Sequence, residues 1–323
     1  MKVVLAEPLL RAYLADLEAA TGNVHDWRWS DGVDADVLAD VDVLVGGELP
    51  AEVAAKSGRL RLVQAPGAGY EGIAMDALPP GVAVANTFHH GRSIAEHVVL
   101  VTLALTRRLR RTDTELRAGR WLSPRFDNDL GRPDTLRDKT MGVIGLGEIG
   151  SEVVRLSRAF DMRCIAVRRH AGRGSPPDLD LAWLGGVETL GQLCAEADVV
   201  VVTVPHSVET AGLVGRAEIA AMKPDALLVN VARGPVVDEN ALYDALVDNR
   251  IGGAALDVWW RYPDASGIGS PSTAPFGDLD NVVMTPHVSG VTTETFALRV
   301  ADIAGNINRL ADGAPLVNVV RGT

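Results

Sequence analysis

Ten residues near the middle of the chain constrain its fold most: Met141-Gly142-Val143-Ile144-Gly145-Leu146-Gly147-Glu148-Ile149-Gly150. An apolar, strand-like run leads into glycines at 145, 147 and 150, and a helical pattern opens at Glu148. Gly145 permits a tight turn, Gly147 lets backbone approach a pyrophosphate, and Gly150 lets the helix pack close to the strand. The unpaired N–H groups of the first helical turn favour an anion. Strand, turn and helix in this order predict a βαβ unit that holds a dinucleotide, with Gly145, Gly147, Glu148, Ile149 and Gly150 at the cofactor. The competing explanation is a glycine-rich turn in an unrelated α/β protein.

The rest of the chain is consistent with that unit. Short apolar runs alternate with helical patterns over the first 90 residues: Lys2 to Ala6, Leu9 to Ala20, Val41 to Val45, Leu60 to Gln64 and Val82 to Asn86. A long amphipathic helix is expected from Ile94 to Arg111, where Ile94, Val98, Val101, Leu105 and Leu109 recur at spacings of three and four. The Pro-, Asp-, Arg- and Gly-rich stretch 122–138 reads as a surface loop. Alternation then resumes, with strands expected at 140–145, 163–167, 199–204, 226–231, 253–258 and 281–285 and a last helix near 292–310. Continuous runs such as Val199-Val200-Val201-Val202 suit a parallel sheet buried on both faces. The fold class expected is α/β, two doubly wound parallel-sheet domains of Rossmann or flavodoxin type with a cleft between them. Both share one architecture, without an internal sequence repeat.

Composition excludes several classes. Lys plus Arg total 31 against 42 Asp plus Glu, a net charge of −11, and such a field repels phosphate backbones, so nucleic acid is not expected as a partner. No run approaches the roughly 18 apolar residues of a membrane helix. Val3 to Ala6 is too short for a signal-peptide core, so a cytoplasmic location is expected. Cys164 and Cys194 show no CxxC pattern or zinc spacing and read as two reduced core thiols; no metal is expected. About 20 residues past the glycines, where a ribose-reading carboxylate marks an NAD site, the chain has Arg168-Arg169-His170. Guanidinium groups attract a 2′-phosphate, so NADP(H) is favoured over NAD(H). An exposed arginine pair without a ligand role is the alternative, since only four of the 31 basic residues are lysine.

Five further stretches resemble the D-isomer-specific 2-hydroxyacid dehydrogenase family. They are Val202-Thr203-Val204-Pro205-His206-Ser207-Val208-Glu209-Thr210, Met222-Lys223-Pro224, Asn230-Val231-Ala232-Arg233-Gly234-Pro235-Val236-Val237-Asp238, Gly253-Ala254-Ala255-Leu256-Asp257-Val258 and Thr285-Pro286-His287-Val288-Ser289-Gly290. Gly67-Ala68-Gly69-Tyr70 and Ser93-Ile94-Ala95-Glu96-His97 extend the likeness across nearly the whole chain. The resemblance implies a substrate domain of residues 1–95 plus 290–323 and a dinucleotide-binding domain of residues 96–289, with substrate between them. It implies reduction of a 2-oxo acid to a D-2-hydroxy acid. In that reaction Arg233 holds the carboxylate and polarises the carbonyl, and His287 supplies the proton. Backbone N–H groups of Ala68 and Gly69 bind the other carboxylate oxygen. Pro205, His206, Val231, Ala232, Arg233, Asp257, His287 and Gly290 join the glycine turn, Arg168 and Arg169 at the cofactor. A homodimer through the nucleotide domain is expected, and with ten residues after Gly313 no C-terminal effector domain is.

One departure stands out. Five residues past Asp257 the family usually places a glutamate that favours protonated histidine; here Tyr262 precedes Pro263. A phenol can orient an imidazole but carries no charge to stabilise imidazolium. Either Asp264 or Asp257 substitutes, or the enzyme works at a lower apparent pKa, or 2-oxo acid turnover is weak or absent. The last case would leave a dinucleotide-sensing binding protein. A formate- or phosphite-type dehydrogenase is a third reading, although His89-His90 stands where formate dehydrogenases present an asparagine. That pair either lines the cleft, with His90 at the substrate, or is a solvated loop. Trp259-Trp260 either walls the pocket or packs in the core.

Overall fold

The computed structural model describes residues 1–264 and 266–322. The backbone divides into two units, Met1–His89 with Val291–Thr323, and His90–Gly290.

In the first unit five short strands run parallel: β1 (Lys2–Leu5), β2 (Asp26–Trp29), β3 (Val43–Val45), β4 (Leu62–Gln64) and β5 (Ala83–Ala85). Their order is β5-β4-β3-β1-β2, so the winding reverses between β1 and β3. Side chains alternate across a strand, and the core divides accordingly. Val4, Leu44, Val63 and Val84 face one apolar cluster, while Val3, Leu5, Val43 and Val45 face another with Leu10 and Leu17. The expected helix over 9–20 forms in two parts, a 3-10 turn Pro8–Tyr13 and an α-helix Leu14–Ala20.

The second unit holds seven parallel strands: β6 (Thr140–Ile144), β7 (Arg163–Val167), β8 (Trp183–Gly185), β9 (Val199–Val202), β10 (Leu227–Asn230), β11 (Gly253–Leu256) and β12 (Val282–Met284). Their order, β12-β11-β10-β9-β6-β7-β8, puts the reversal between β6 and β9. Ligands bind outside the carboxyl ends of strands at such a reversal. Apolar clusters cover both faces, which is why Val199 to Val202 are buried without alternation. Cys164 and Cys194 are free and buried, and burial pushes their thiols up to about 11 and about 12.

From Gly290 the chain returns to the first unit with the helix Thr293–Asp312 and β13 (Val319–Arg321), which lies antiparallel beside β5. Phe296, Val300, Ile303 and Ile307 of this helix complete the cluster around Val3 and Leu5. Gly313 ends the helix in left-handed backbone.

The helix expected over 94–111 is corrected. It spans Gly91–Thr106, and a second helix, Leu109–Arg117, starts after Arg108 takes left-handed backbone (φ +50°). Leu109 is therefore exposed rather than on the buried stripe. Among the described residues no helix is long and apolar enough to cross a membrane.

Candidate active site

The glycine turn lies at the carboxyl end of β6, beside the reversal. Gly145 has φ +102°, and a β-carbon there would meet Val204 Cγ1 at 2.7 Å. A β-carbon on Gly150 would lie 2.1 Å from the Gly145 carbonyl oxygen, so only glycine lets the helix Glu148–Arg158 sit this close to the strand. Gly147 caps that helix without a side-chain bond, and nothing lies within 4 Å of where its β-carbon would be. A helix N-terminus with open space at its capping glycine fits a dinucleotide pyrophosphate. Glu148 and Ile149 form the first helical turn, and Pro205 and His206 follow β9 on the other side of the reversal, both exposed.

Arg168 and Arg169 follow β7 directly. Arg168 donates from one guanidinium nitrogen to the Gly174 carbonyl at 3.1 Å, and Arg169 pairs with Glu209 at 3.7 Å. Both partners of that pair are exposed, so it is weak and exchangeable.

A second group of residues gathers at the ends of β10, β11 and β12. Val231, Ala232 and Arg233 leave β10; Asn230 accepts from Ala232 N at 3.1 Å and donates to the Arg233 carbonyl at 3.0 Å, which fixes the turn. Arg233 is half-buried and donates to the Ala232 carbonyl at 2.8 Å. Tyr262 Oη lies 3.0 Å from His287 Nδ1, and Trp259 N donates to the same oxygen at 3.4 Å. The tyrosine therefore occupies the position behind the imidazole. Packing around the ring holds His287 below its ordinary value, Arg233 lowers it further, and Asp257 acts against both. His287 still presents an exposed edge to solvent. Burial raises the Tyr262 phenol, so it remains protonated.

Asp257 closes β11 and is 1% exposed. One oxygen accepts from Thr285 Oγ1 at 2.7 Å and Val288 N at 2.9 Å, and the other from Ser289 N at 2.9 Å. The carboxylate thus clamps the segment that carries His287 and Gly290. His97 Nε2 lies 3.4 Å from Thr285 Oγ1, and Trp259 donates from its indole to the Thr285 carbonyl at 2.9 Å. Thr285, His97, Trp259 and Asn230 are supports that sequence reasoning did not single out for this purpose. The tryptophan pair packs: Trp259 is 6% exposed, and Trp260 stacks on Phe276 at 5.5 Å. Asp264 accepts from Ser266 N and Oγ, a local turn.

Ala68 and Gly69 lie in the first unit, in a loop after β4. It is pinned by Asn86 Nδ2 donating to the Ala68 carbonyl at 2.9 Å and by Thr87 N donating to the Gly67 carbonyl at 3.2 Å. The Arg299 guanidinium lies 3.6 Å from the β-carbon position of Gly67. His89, on left-handed backbone, pairs through Nε2 with Asp302 at 2.8 Å, and Thr87 donates to the same carboxylate oxygen. His89 is thus an ion-paired loop residue, one third exposed. His90, in the second unit, is buried ahead of the helix Gly91–Thr106. Asp302, 213 positions from His89, gave no signal in sequence. Among the described residues no group of three His, Cys, Asp or Glu is placed to hold a metal ion.

Fold and glycine turn together define a dinucleotide-binding α/β protein of two units. Residues 99–289 match the D-isomer specific 2-hydroxyacid dehydrogenase, NAD binding domain. The chain is 31% identical over 328 residues to D-3-phosphoglycerate dehydrogenase of Methanocaldococcus jannaschii, covering 99% of this chain and 59% of that one. It is 34% identical over 270 residues to glyoxylate/hydroxypyruvate reductase B of Pectobacterium carotovorum, covering 81% of this chain and 80% of that one. Among solved structures, an acyclic imino acid reductase (Bsp5) in complex with NADPH and D-Arg superposes with a TM-score of 0.83 at 26% identity, covering 99% of this chain and 100% of that one. The chain belongs to the D-isomer-specific 2-hydroxyacid dehydrogenase family. It spans about three fifths of the length of the phosphoglycerate dehydrogenase it matches.

Proposed function

We propose that the protein is a nicotinamide-dependent oxidoreductase interconverting a 2-oxo acid and a D-2-hydroxy acid, with NADP(H) preferred. The observation that carries the reading is the convergence of Arg233, His287 and Tyr262 at the strand ends of a sheet whose glycine turn fits a dinucleotide. Bound reduced nicotinamide would supply the hydride. Arg233 holds the carboxylate and draws charge from the reacting carbonyl. His287 exchanges the proton through Nε2, with Nδ1 turned to the Tyr262 oxygen. His90, in the same unit as Arg233 and His287, contributes to substrate selection.

The cofactor preference rests on two cations, and no carboxylate, directly after β7. A 2′-phosphate would displace the weak Arg169–Glu209 pair and gain charge-assisted bonds. Assembly as a dimer through the second unit is supported by exposed apolar residues there, Leu109, Leu116, Trp121 at 65% and Phe126 at 64%. Sedimentation velocity is expected to show two copies, and a single-copy species would end that proposal.

The test of the function is oxidation of NADPH and NADH, in parallel, against a panel of 2-oxo acids across pH. Turnover with NADPH favoured is expected, and Arg168→Ala with Arg169→Ala should cut the NADPH-to-NADH ratio by at least about tenfold, the weight of one or two charge-assisted bonds. Tight dinucleotide binding without turnover on any acid would instead identify a sensing protein.

A further inference from the structure

The atom behind His287 Nδ1 decides which substrates this site can reduce. Here it is a phenol oxygen at 3.0 Å. Neither carboxylate of this segment bonds to the imidazole: Asp257 accepts from Thr285, Val288 and Ser289 and acts on His287 only through space, outweighed by burial and Arg233, and Asp264 accepts from Ser266. The charged and titratable groups facing the imidazole are Arg233, Asp257 and Tyr262, with His97 behind Thr285.

A ketone must receive a proton on oxygen as hydride reaches carbon, which calls for imidazolium. A phenol can accept a bond from Nδ1–H but holds no charge against that cation. A 2-imino acid makes no such demand, because as the iminium it already carries the proton on nitrogen. Hydride from the reduced nicotinamide bonds to the imine carbon, and the C=N π pair becomes a nitrogen lone pair. The products are a neutral 2-amino group and the oxidised, cationic nicotinamide, so atoms and charge balance without a proton from the protein. Neutral His287, donating from Nδ1–H to Tyr262 Oη, turns the Nε2 lone pair toward the iminium N–H. Imidazolium at the same place would repel it. The substrate's own carboxylate offsets the charge of Arg233.

We propose that this site reduces 2-imino acids, formed from a 2-oxo acid and ammonia or a primary amine with loss of water, to 2-amino acids. The proposal rests on the oxidoreductase reading above and narrows its substrate class.

The experiment follows NADPH oxidation with a panel of 2-oxo acids alone, with methylammonium, and with trimethylammonium at equal concentration, the last unable to form an imine. Methylammonium is expected to raise the rate at least about tenfold, less than the roughly 10²–10⁴-fold that a well-matched proton donor contributes to ketone reduction, with trimethylammonium inert and an N-methylamino acid found by mass spectrometry. In Tyr262→Glu the amine-dependent rate should fall and the amine-independent rate rise; their ratio within one preparation is insensitive to the fraction folded. Equal turnover with and without methylammonium overturns the imine proposal and leaves 2-oxo acid reduction standing. No turnover in any arm, with dinucleotide still bound, overturns both.

Discussion

His287 sits on left-handed backbone, φ +59°, which costs a residue with a β-carbon about 1–2 kcal/mol. Such a conformation persists where its surroundings over-determine it, and Asp257 supplies that determination through three hydrogen bonds into residues 285–289. Asp257→Ala would strand Thr285 Oγ1, Val288 N and Ser289 N. Unpaired buried donors cost about 1–3 kcal/mol each, part of which water and local relaxation recover, so a loss of about 2–4 kcal/mol in urea-unfolding stability is expected. An unchanged midpoint would show that the segment holds itself. The histidines make stability depend on pH. Burial is the first cause that holds both His287 and His97 below the ordinary value of 6.5. As pH falls below 6.5 the unfolded chain takes up these protons before the folded one, so the unfolded state binds more protons and stability declines with falling pH. Urea midpoints should drop between about pH 7.5 and about pH 5.5, and less so in a His287→Asn, His97→Asn variant. An identical slope in the variant would place the dependence elsewhere.

At the scale of elements, the glycine turn separates two roles that one motif combines. Gly150→Ala puts a methyl group 2.1 Å from a backbone oxygen, so the helix Glu148–Arg158 must lift from β6; Gly147→Ala meets nothing within 4 Å and has negative φ. Gly150→Ala is expected to lower both thermal stability and dinucleotide affinity. Gly147→Ala should leave the melting temperature unchanged and weaken dinucleotide binding alone, as calorimetry and NADPH fluorescence would show; equal loss of stability in both variants would refute this division. The same elements show what sequence can express. β7 was expected at its observed bounds because an apolar run there is flanked by polar residues. The helix after Gly91 is shorter than its apolar spacing predicts, because Leu105 and Leu109 keep that spacing while the left-handed turn at Arg108 has no glycine or asparagine to announce it. β2 carries no such signature, because Asp26 and Arg28 interrupt any apolar run at a sheet edge. Arg233 and His287 were legible through their motifs and Tyr262 through its departure from one. The clamp by Asp257, the Asp302 partner of His89 and the packing of Trp259 depend on pairings across 26 to 213 positions, which periodicity does not encode.

For the whole molecule, the two units differ in how much chain each needs. The clusters of the second unit draw on residues 94–282 alone, so its seven-stranded sheet is covered on both faces by its own helices. The first unit is split: one face of its sheet is closed by Phe296, Val300, Ile303 and Ile307 from the far end of the chain, and its edge by β13. Burying such side chains contributes about 1.5–3 kcal/mol each, so four are worth about 6–12 kcal/mol, comparable to the whole stability of a typical domain. A fragment of residues 90–290 is therefore expected to unfold cooperatively and to bind dinucleotide, whereas residues 1–89 alone should lack a cooperative transition and recover one when residues 291–323 are joined by a flexible linker. Circular dichroism with urea titration, and NADPH fluorescence for the first fragment, would decide. A cooperative 1–89 fragment would mean that the helix Thr293–Asp312 adds to an already stable sheet; its absence, with the linked chain folding, would mean that the first unit closes only once residues 291–323 are available to it.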